Sequence, residues 1–175
     1  MKRLIGLLLV GFSLSLCADV LEIGDEVPDM CWKDAESQDL CLNFFALRVR
    51  VLLYNTGWCP DCNVEMEELV PHLKEFAEKP VLFLSLSASG NTSSAPPDSE
   101  FLKEWTLKHQ IPFPVLASPK DPGKKFFEPP YHIPAVVIVG SDNRVFYKEV
   151  EPPIEMLLQK VNEALTAPLP GWSSN

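Results

Sequence analysis

The sequence predicts an α/β fold, a central mixed β-sheet flanked by helices and opened by an N-terminal β-hairpin, and three observations predict it. An apolar run at residues 51–54 is followed by Cys59, Cys62, Met66, Leu69, Val70, Leu73 and Phe76 at helical spacing. A second apolar run, at residues 81–86, has the composition of a buried parallel strand, so strand, helix and strand follow one another. Further on, the apolar residues 135–139 turn through Asp142-Asn143 into Val145-Phe146-Tyr147, a hairpin, before a last amphipathic helix.

At the start of the chain, Lys2 and Arg3 precede an apolar run over residues 4–16 and small residues around Cys17 and Ala18. This is the layout of a bacterial-type secretory signal, and the run is short for a bilayer span. Residues 1–18 are expected to be a cleaved signal, residues 19–167 one domain, and residues 168–175 a loosely ordered tail. An uncleaved anchor and lipidation at Cys17 are the alternatives; Leu16 is a poor match before a lipidated cysteine. The expected location is therefore exported, in the bacterial periplasm or cell envelope.

The 175 residues carry 15 basic and 24 acidic side chains, a formal charge of −9. Removal of Lys2 and Arg3, with no acidic residue before Asp19, moves it to −11. Such an acidic body excludes nucleic acid as a partner and disfavours docking on anionic lipid.

The hairpin comes next. Met30-Cys31-Trp32-Lys33 and Asp39-Leu40-Cys41-Leu42 read as its arms, turning through Ala35-Glu36-Ser37, with positions 31 and 41 equidistant from Glu36. In that register the two cysteines face each other at a separation a disulfide can bridge. Loss of Cys17 would leave an even set of four thiols in a compartment where disulfides persist. Cys31–Cys41 is expected as a structural staple; two reduced core thiols, or a second redox pair, are the other readings.

The Ser-, Asn-, Gly- and Pro-rich residues 87–97 form a loop, and Asp98 or Ser99 caps a helix running to about His109. Phe101, Leu102, Trp105 and Leu107 are expected to supply its apolar side. Residues 115–117 make a brief strand and residues 119–130 a turn with one possible helical turn. After Pro152-Pro153, a final helix carries Ile154, Leu157, Leu158, Val161 and Leu165 inward.

The chemistry centres on Trp58-Cys59-Pro60-Asp61-Cys62. Two thiols three residues apart at a helix mouth can shuttle between dithiol and disulfide. Pro60 suits a first helical position, which places Cys59 among unpaired N–H groups at the positive end of the helix dipole. That setting favours the nucleophilic thiolate. Cys59 is expected to be exposed and to attack, and Cys62, on the apolar stripe, to be shielded and to resolve. A zinc half-site would need a second ligand pair, and His72, His109 and His132 are scattered, so no metal is expected. Nor is any cofactor, since no Gly-rich nucleotide fingerprint occurs.

The element order and three motifs resemble the thioredoxin superfamily, and within it the exported TlpA-, ResA- and CcmG-like branch. Ile23-Gly24-Asp25-Glu26-Val27-Pro28 looks like the opening G-D-x-x-P segment. Residues 54–65 look like the strand and W-C-x-x-C-x-x-E helix start, and Ile133-Pro134-Ala135-Val136-Val137-Ile138 like the loop and strand carrying the cis-proline. The likeness covers most of residues 22–166 and implies a thioredoxin-like fold. It implies that Ile133 and a cis Pro134, with Trp58 and Pro60, meet an extended substrate segment. His132 could approach the sulfurs, though an ordinary surface or hydrogen-bonded imidazole is expected. Glu65, three residues after Cys62 on the edge of the buried stripe, matches a glutamate that the branch implies as proton donor and acceptor for the buried thiol; the other reading is a solvated glutamate like Glu67 or Glu68.

Two departures limit the resemblance. Glu67 stands where the branch commonly has proline, which here appears only at Pro71, and Asp61 lies between the cysteines, where its charge disfavours the thiolate and suits an electron donor. The expected function is an extracytoplasmic thiol–disulfide oxidoreductase, a reductant or isomerase, catalytic through Cys59, Cys62 and Glu65. Its expected partners are protein disulfides or dithiols and a membrane thiol relay supplying electrons, the chain acting as a monomer. Cytochrome c apoproteins or misoxidised exported proteins are the candidate substrates. A thiol peroxidase is one alternative, because Thr56 lies three before Cys59, although Leu52 stands where the peroxiredoxin motif has proline. A thioredoxin-fold binding or assembly factor with a static disulfide is the other.

Overall fold

The computed structural model describes residues 20–118 and 123–168. The expected signal with Cys17, part of the turn before Pro130, and nearly all of the expected tail lie outside them. Among the described residues no helix is long and apolar enough to cross a membrane.

In chain order the elements are β1 (Cys31–Lys33), β2 (Asp39–Cys41), β3 (Val49–Asn55), α1 (Pro60–Leu69), β4 (Val81–Ser87), α2 (Ser99–His109), β5 (Val115–Ala117), β6 (Ala135–Val139), β7 (Val145–Val150) and α3 (Ile154–Thr166). The strands form one mixed sheet in the order β2-β1-β5-β4-β3-β6-β7. β3, β4 and β5 run parallel, and the antiparallel pairs β6–β7 and β1–β2 extend the sheet on either side.

β3 explains the layering. Every residue in it is buried, and alternate side chains serve opposite faces, as the two-residue period of a strand requires. Val51 and Leu53 join Met66 and Leu69 of α1, Leu102 and Trp105 of α2, and Leu157 and Val161 of α3. Leu52 and Tyr54 join Val27, Trp32, Phe126 and Phe127 on the other face. The three helices thus share one side, and the N-terminal segment and the 123–131 turn close the other. A fully buried Leu or Met in such a layer contributes about 1.5–3 kcal/mol.

The hairpin pairs Cys31 with Cys41, Trp32 with Leu40 and Lys33 with Asp39. Its turn is closed by Asp34, whose Oδ1 accepts the N–H groups of Glu36 and Gln38. Cys31 and Cys41 are disulfide-bonded, with an S–S distance of 2.01 Å.

Three elements differ from their expected form. The helical run after Cys59 changes at Val70 into a 3-10 helix, Val70–Phe76; Pro71 has no N–H to donate back along the α-helix. Leu73 and Phe76 nevertheless stay buried. In α2, Leu107 is 76% exposed and His109 is buried in its stead. At 100° per residue, position 107 lies opposite Trp105, whereas 101, 102, 105 and 109 share a face. β7 runs three residues beyond Tyr147, paired with β6 as far as Val150.

Candidate functional site

The site forms where β3 ends and α1 begins. Asn55, the last residue of β3, donates from Nδ2 to Ser85 Oγ at 2.7 Å and accepts at Oδ1 from Ser87 Oγ at 2.7 Å, pinning the two parallel strand ends together. Gly57 follows, its N–H bonded to Gly90 O at 3.1 Å. A Cβ there would lie 2.5 Å from the Phe101 ring and 2.9 Å from Gly90 O, so this approach of two loops requires glycine. The approach brings Trp58 to residue 89: its Nε1 donates to Ser89 Oγ at 2.8 Å, with the residue 46% exposed.

Cys59 is the N-cap of α1, in extended conformation, with Pro60 as first helical residue. Its Sγ accepts the N–H of Cys62 at 3.1 Å, which uses one of the amides left free at a helix start. The two sulfurs are bonded, with Cα atoms 5.3 Å apart. Cys62 is fully buried, but Cys59 is only 4% exposed, not the open sulfur expected at the helix mouth. The cover comes from the bond to Cys62 and from the loop before β6, where Ile133 O lies 3.6 Å from Cys59 Sγ. Ile133–Pro134 is cis. Pro134 is buried, its carbonyl accepts the Glu151 N–H at 2.8 Å, and His132 is exposed.

Glu65 follows Cys62 by three residues and is 5% exposed, and neither carboxyl oxygen has a hydrogen-bond partner. Burial pushes its pKa from 4.5 up to about 8, so the group is mostly a neutral acid at pH 7. Asp61, Glu67 and Glu68 are exposed. Thr56 is buried, with Oγ1 unpartnered.

One part of the site has no counterpart in the sequence reading. Asn63 Nδ2 donates to Cys59 O at 2.7 Å. Its Oδ1 therefore faces His109 Nε2 at 3.1 Å and Lys108 Nζ. The amide orientation makes Nε2 the protonated ring nitrogen. Burial, and then the Lys108 charge, lower the His109 pKa and keep the ring neutral. The signal was the i, i+4 spacing of Trp105 and His109 on one stripe; their rings lie 4.3 Å apart.

The structure thus brings Cys59, Pro60, Cys62, Ile133 and Pro134 to one place, with Glu65 behind them and Trp58 on the rim. A cleft of about 1030 Å³ opens beside them between Trp58, Ser89, Tyr131 and Ile133. The Cys31–Cys41 bridge lies elsewhere, at the β2 edge of the sheet. Chemically, the arrangement holds a disulfide against a helix N-terminus, with a neutral carboxylic acid one turn further in and a backbone carbonyl in front.

The sequence model of the AhpC/TSA family matches residues 23–148. None of the curated proteins matches significantly. Among solved structures, a candidate protein disulfide isomerase from Bacteroides thetaiotaomicron superposes with a TM-score of 0.69 at 18% identity, over 85% of this chain and 92% of its own. A thiol:disulfide interchange protein of the thioredoxin family from Chlorobium tepidum gives 0.66 at 16%, over 80% and 95%. A secreted Mycobacterium tuberculosis disulfide oxidoreductase, homologous to E. coli DsbE, gives 0.58 at 16%, over 77% and 95%. At these identities the likenesses establish a thioredoxin-like fold.

Proposed function

The chain belongs to the AhpC/TSA family, and from that premise we propose that it is a thiol–disulfide oxidoreductase working through Cys59 and Cys62. The observation that carries the reading is the setting of Cys59 Sγ, which accepts an amide N–H at the start of α1 while facing the carbonyl oxygen of Ile133. Negative charge on that sulfur is stabilised by the amide and the helix dipole.

In the reducing direction, the Cys59 thiolate attacks one sulfur of a substrate disulfide and displaces the other as thiolate. Cys62 then loses its proton to the ionised fraction of Glu65 and attacks Cys59 Sγ. This breaks the mixed disulfide and releases the second substrate sulfur as thiol. Two electrons pass to the substrate, Cys59–Cys62 is left as a disulfide, and an external dithiol reduces that pair back to two thiols while becoming a disulfide itself. Neutral Glu65 supplies the proton to a leaving thiolate, and its pKa of about 8 suits both directions near neutrality. Ile133 and Pro134 with Trp58 and Pro60 form the surface an extended substrate crosses. Cys31–Cys41 acts as a staple.

The finer reading is an exported reductant or isomerase, a monomer supplied with electrons by a membrane thiol relay. The apolar run after Lys2 and Arg3 supports export, and the charge of Asp61 beside the pair supports a donor role. A second reading, thiol peroxidase, is favoured by buried Thr56 three residues before Cys59. Redox titration of the pair against glutathione, followed by peroxide addition to the reduced protein, tests both. Reversible reduction with slow peroxide consumption is expected. A pair that resists mild reductants would leave a static binding or assembly factor, and rapid peroxide turnover would favour the peroxidase.

A further inference from the structure

The loop in front of Cys59 divides two hollows of opposite character. Ile133 lines the large cleft with Trp58, Ser89 and Tyr131, and among the described residues no charged side chain lines it. Pro134, the next residue, lines a narrow crevice of about 180 Å³ with Asp61, Glu65, Glu68 and Glu151. No basic side chain among the described residues lines that one.

The crevice holds an uncompensated charge pattern. Asp61, Glu68 and Glu151 are exposed, and none forms an ion pair among the described residues. Behind them Glu65, nineteen-twentieths buried, lines the same crevice with both carboxyl oxygens unpartnered. Buried polar groups are ordinarily satisfied, so the unpartnered Glu65 carboxyl at the floor of the crevice leaves two acceptor oxygens without a donor. The remaining lining includes Val64, Pro152, Pro153 and Ile154, an apolar wall suited to the methylene stem of a long cationic side chain. An inorganic cation fits less well: among the described residues, no three of these carboxylates bring oxygens within 4.8 Å of one another. The crevice also adjoins the exchange site, because Glu151 N–H bonds the Pro134 carbonyl and Ile133 O faces the Cys59 sulfur.

We infer that the disulfide partner lies across the Ile133–Pro134 loop with a basic flank, placing a lysine or arginine side chain in the crevice of Asp61, Glu65, Glu68 and Glu151 and an uncharged flank in the cleft beside Trp58. The inference rests on the disulfide-exchange reading above. It makes this face selective for charge on one side of the reacting sulfur, because like charges in the crevice repel and a cation finds donors' partners waiting.

Small disulfides of known charge test it. The reduced protein is reacted with cystamine, a dication, with neutral hydroxyethyl disulfide and with anionic oxidised glutathione, at low and high salt. Cystamine is expected to exceed hydroxyethyl disulfide by about tenfold at low salt, with glutathione slowest, and the spread to collapse in ~0.5 M salt. The cystamine-to-neutral ratio should fall towards one in Glu68→Lys/Glu151→Lys. It should stay at the wild-type value in Glu75→Lys/Glu78→Lys, which makes the same charge change beyond the end of α1. Equal rates for the three disulfides, or an equal fall in both double variants, would overturn the inference and leave the exchange reading intact. Failure of all three to oxidise the pair would instead overturn the exchange reading itself.

Discussion

Asn63 Nδ2 donates to the backbone carbonyl of Cys59 at 2.7 Å, and this bond joins the first turn of α1 to the C-terminal end of α2, since Asn63 Oδ1 is held by His109 and Lys108. The position of the Cys59 backbone is therefore set by two helices.

Loss of that tie has a stability cost. Asn63→Ala removes the amide and leaves the buried His109 N–H without its acceptor, so about 1–3 kcal/mol of stability is expected to go. Urea denaturation of oxidised wild type and variant measures it. An unchanged midpoint would mean that water replaces the amide.

The two cysteines should behave unequally. Cys62→Ala is expected to accumulate mixed disulfides through Cys59, visible by mass spectrometry of non-reduced protein, whereas Cys59→Ala should accumulate none. In the reduced wild type, iodoacetamide should label Cys59 first; prior labelling of Cys62 would reverse the assigned roles.

Glu65 makes stability depend on pH with a definite sign. Its folded-state pKa, about 8, exceeds the unfolded value of 4.5, so the folded state binds the extra proton between these pH values. Stability contributed by the neutral acid is present below pH 4.5 and is lost as pH rises through 8, by on the order of 5 kcal/mol. Glu65→Gln should flatten this slope in denaturation at pH 5 and pH 9. It should also slow exchange and remove the limb near pH 8 from its rate profile. A rate profile identical to wild type would return Glu65 to a packing role.

The hairpin bridge closes a loop of ten residues' separation. Replacing Cys31 and Cys41 by Ser should cost about 2–3 kcal/mol, with the exchange rate of the Cys59–Cys62 pair kept. Thermal melts alongside the cystamine assay separate the two effects, and a lost exchange rate would implicate the bridge in electron transfer.

Much of the fold is short-range, and those parts are legible in the chain. The apolar run of residues 51–54, the cap and proline at 59–60, and the symmetry of positions 31 and 41 about Glu36 are local patterns. Each expresses a backbone period or a terminal hydrogen-bonding need that a few neighbouring residues decide. The stripe of α2 was misjudged at Leu107, where apolar character alone pointed inward against the helical angle.

By itself, then, the sequence determined where the main strands and helices lie, that Cys59 caps a helix, and that Cys62 follows on its buried side, while it placed Glu65 only at the edge of that side. Only the tertiary structure decided how closed the site is. Ile133 reaches Cys59 across 74 positions because β6 pairs with β3, and His109 reaches Asn63 across 46 because α2 packs beside α1. Periodicity assigns each element a buried face but carries no information on which distant element will cover it. That choice comes from packing and strand order, and it turned an expected open sulfur into one almost wholly enclosed.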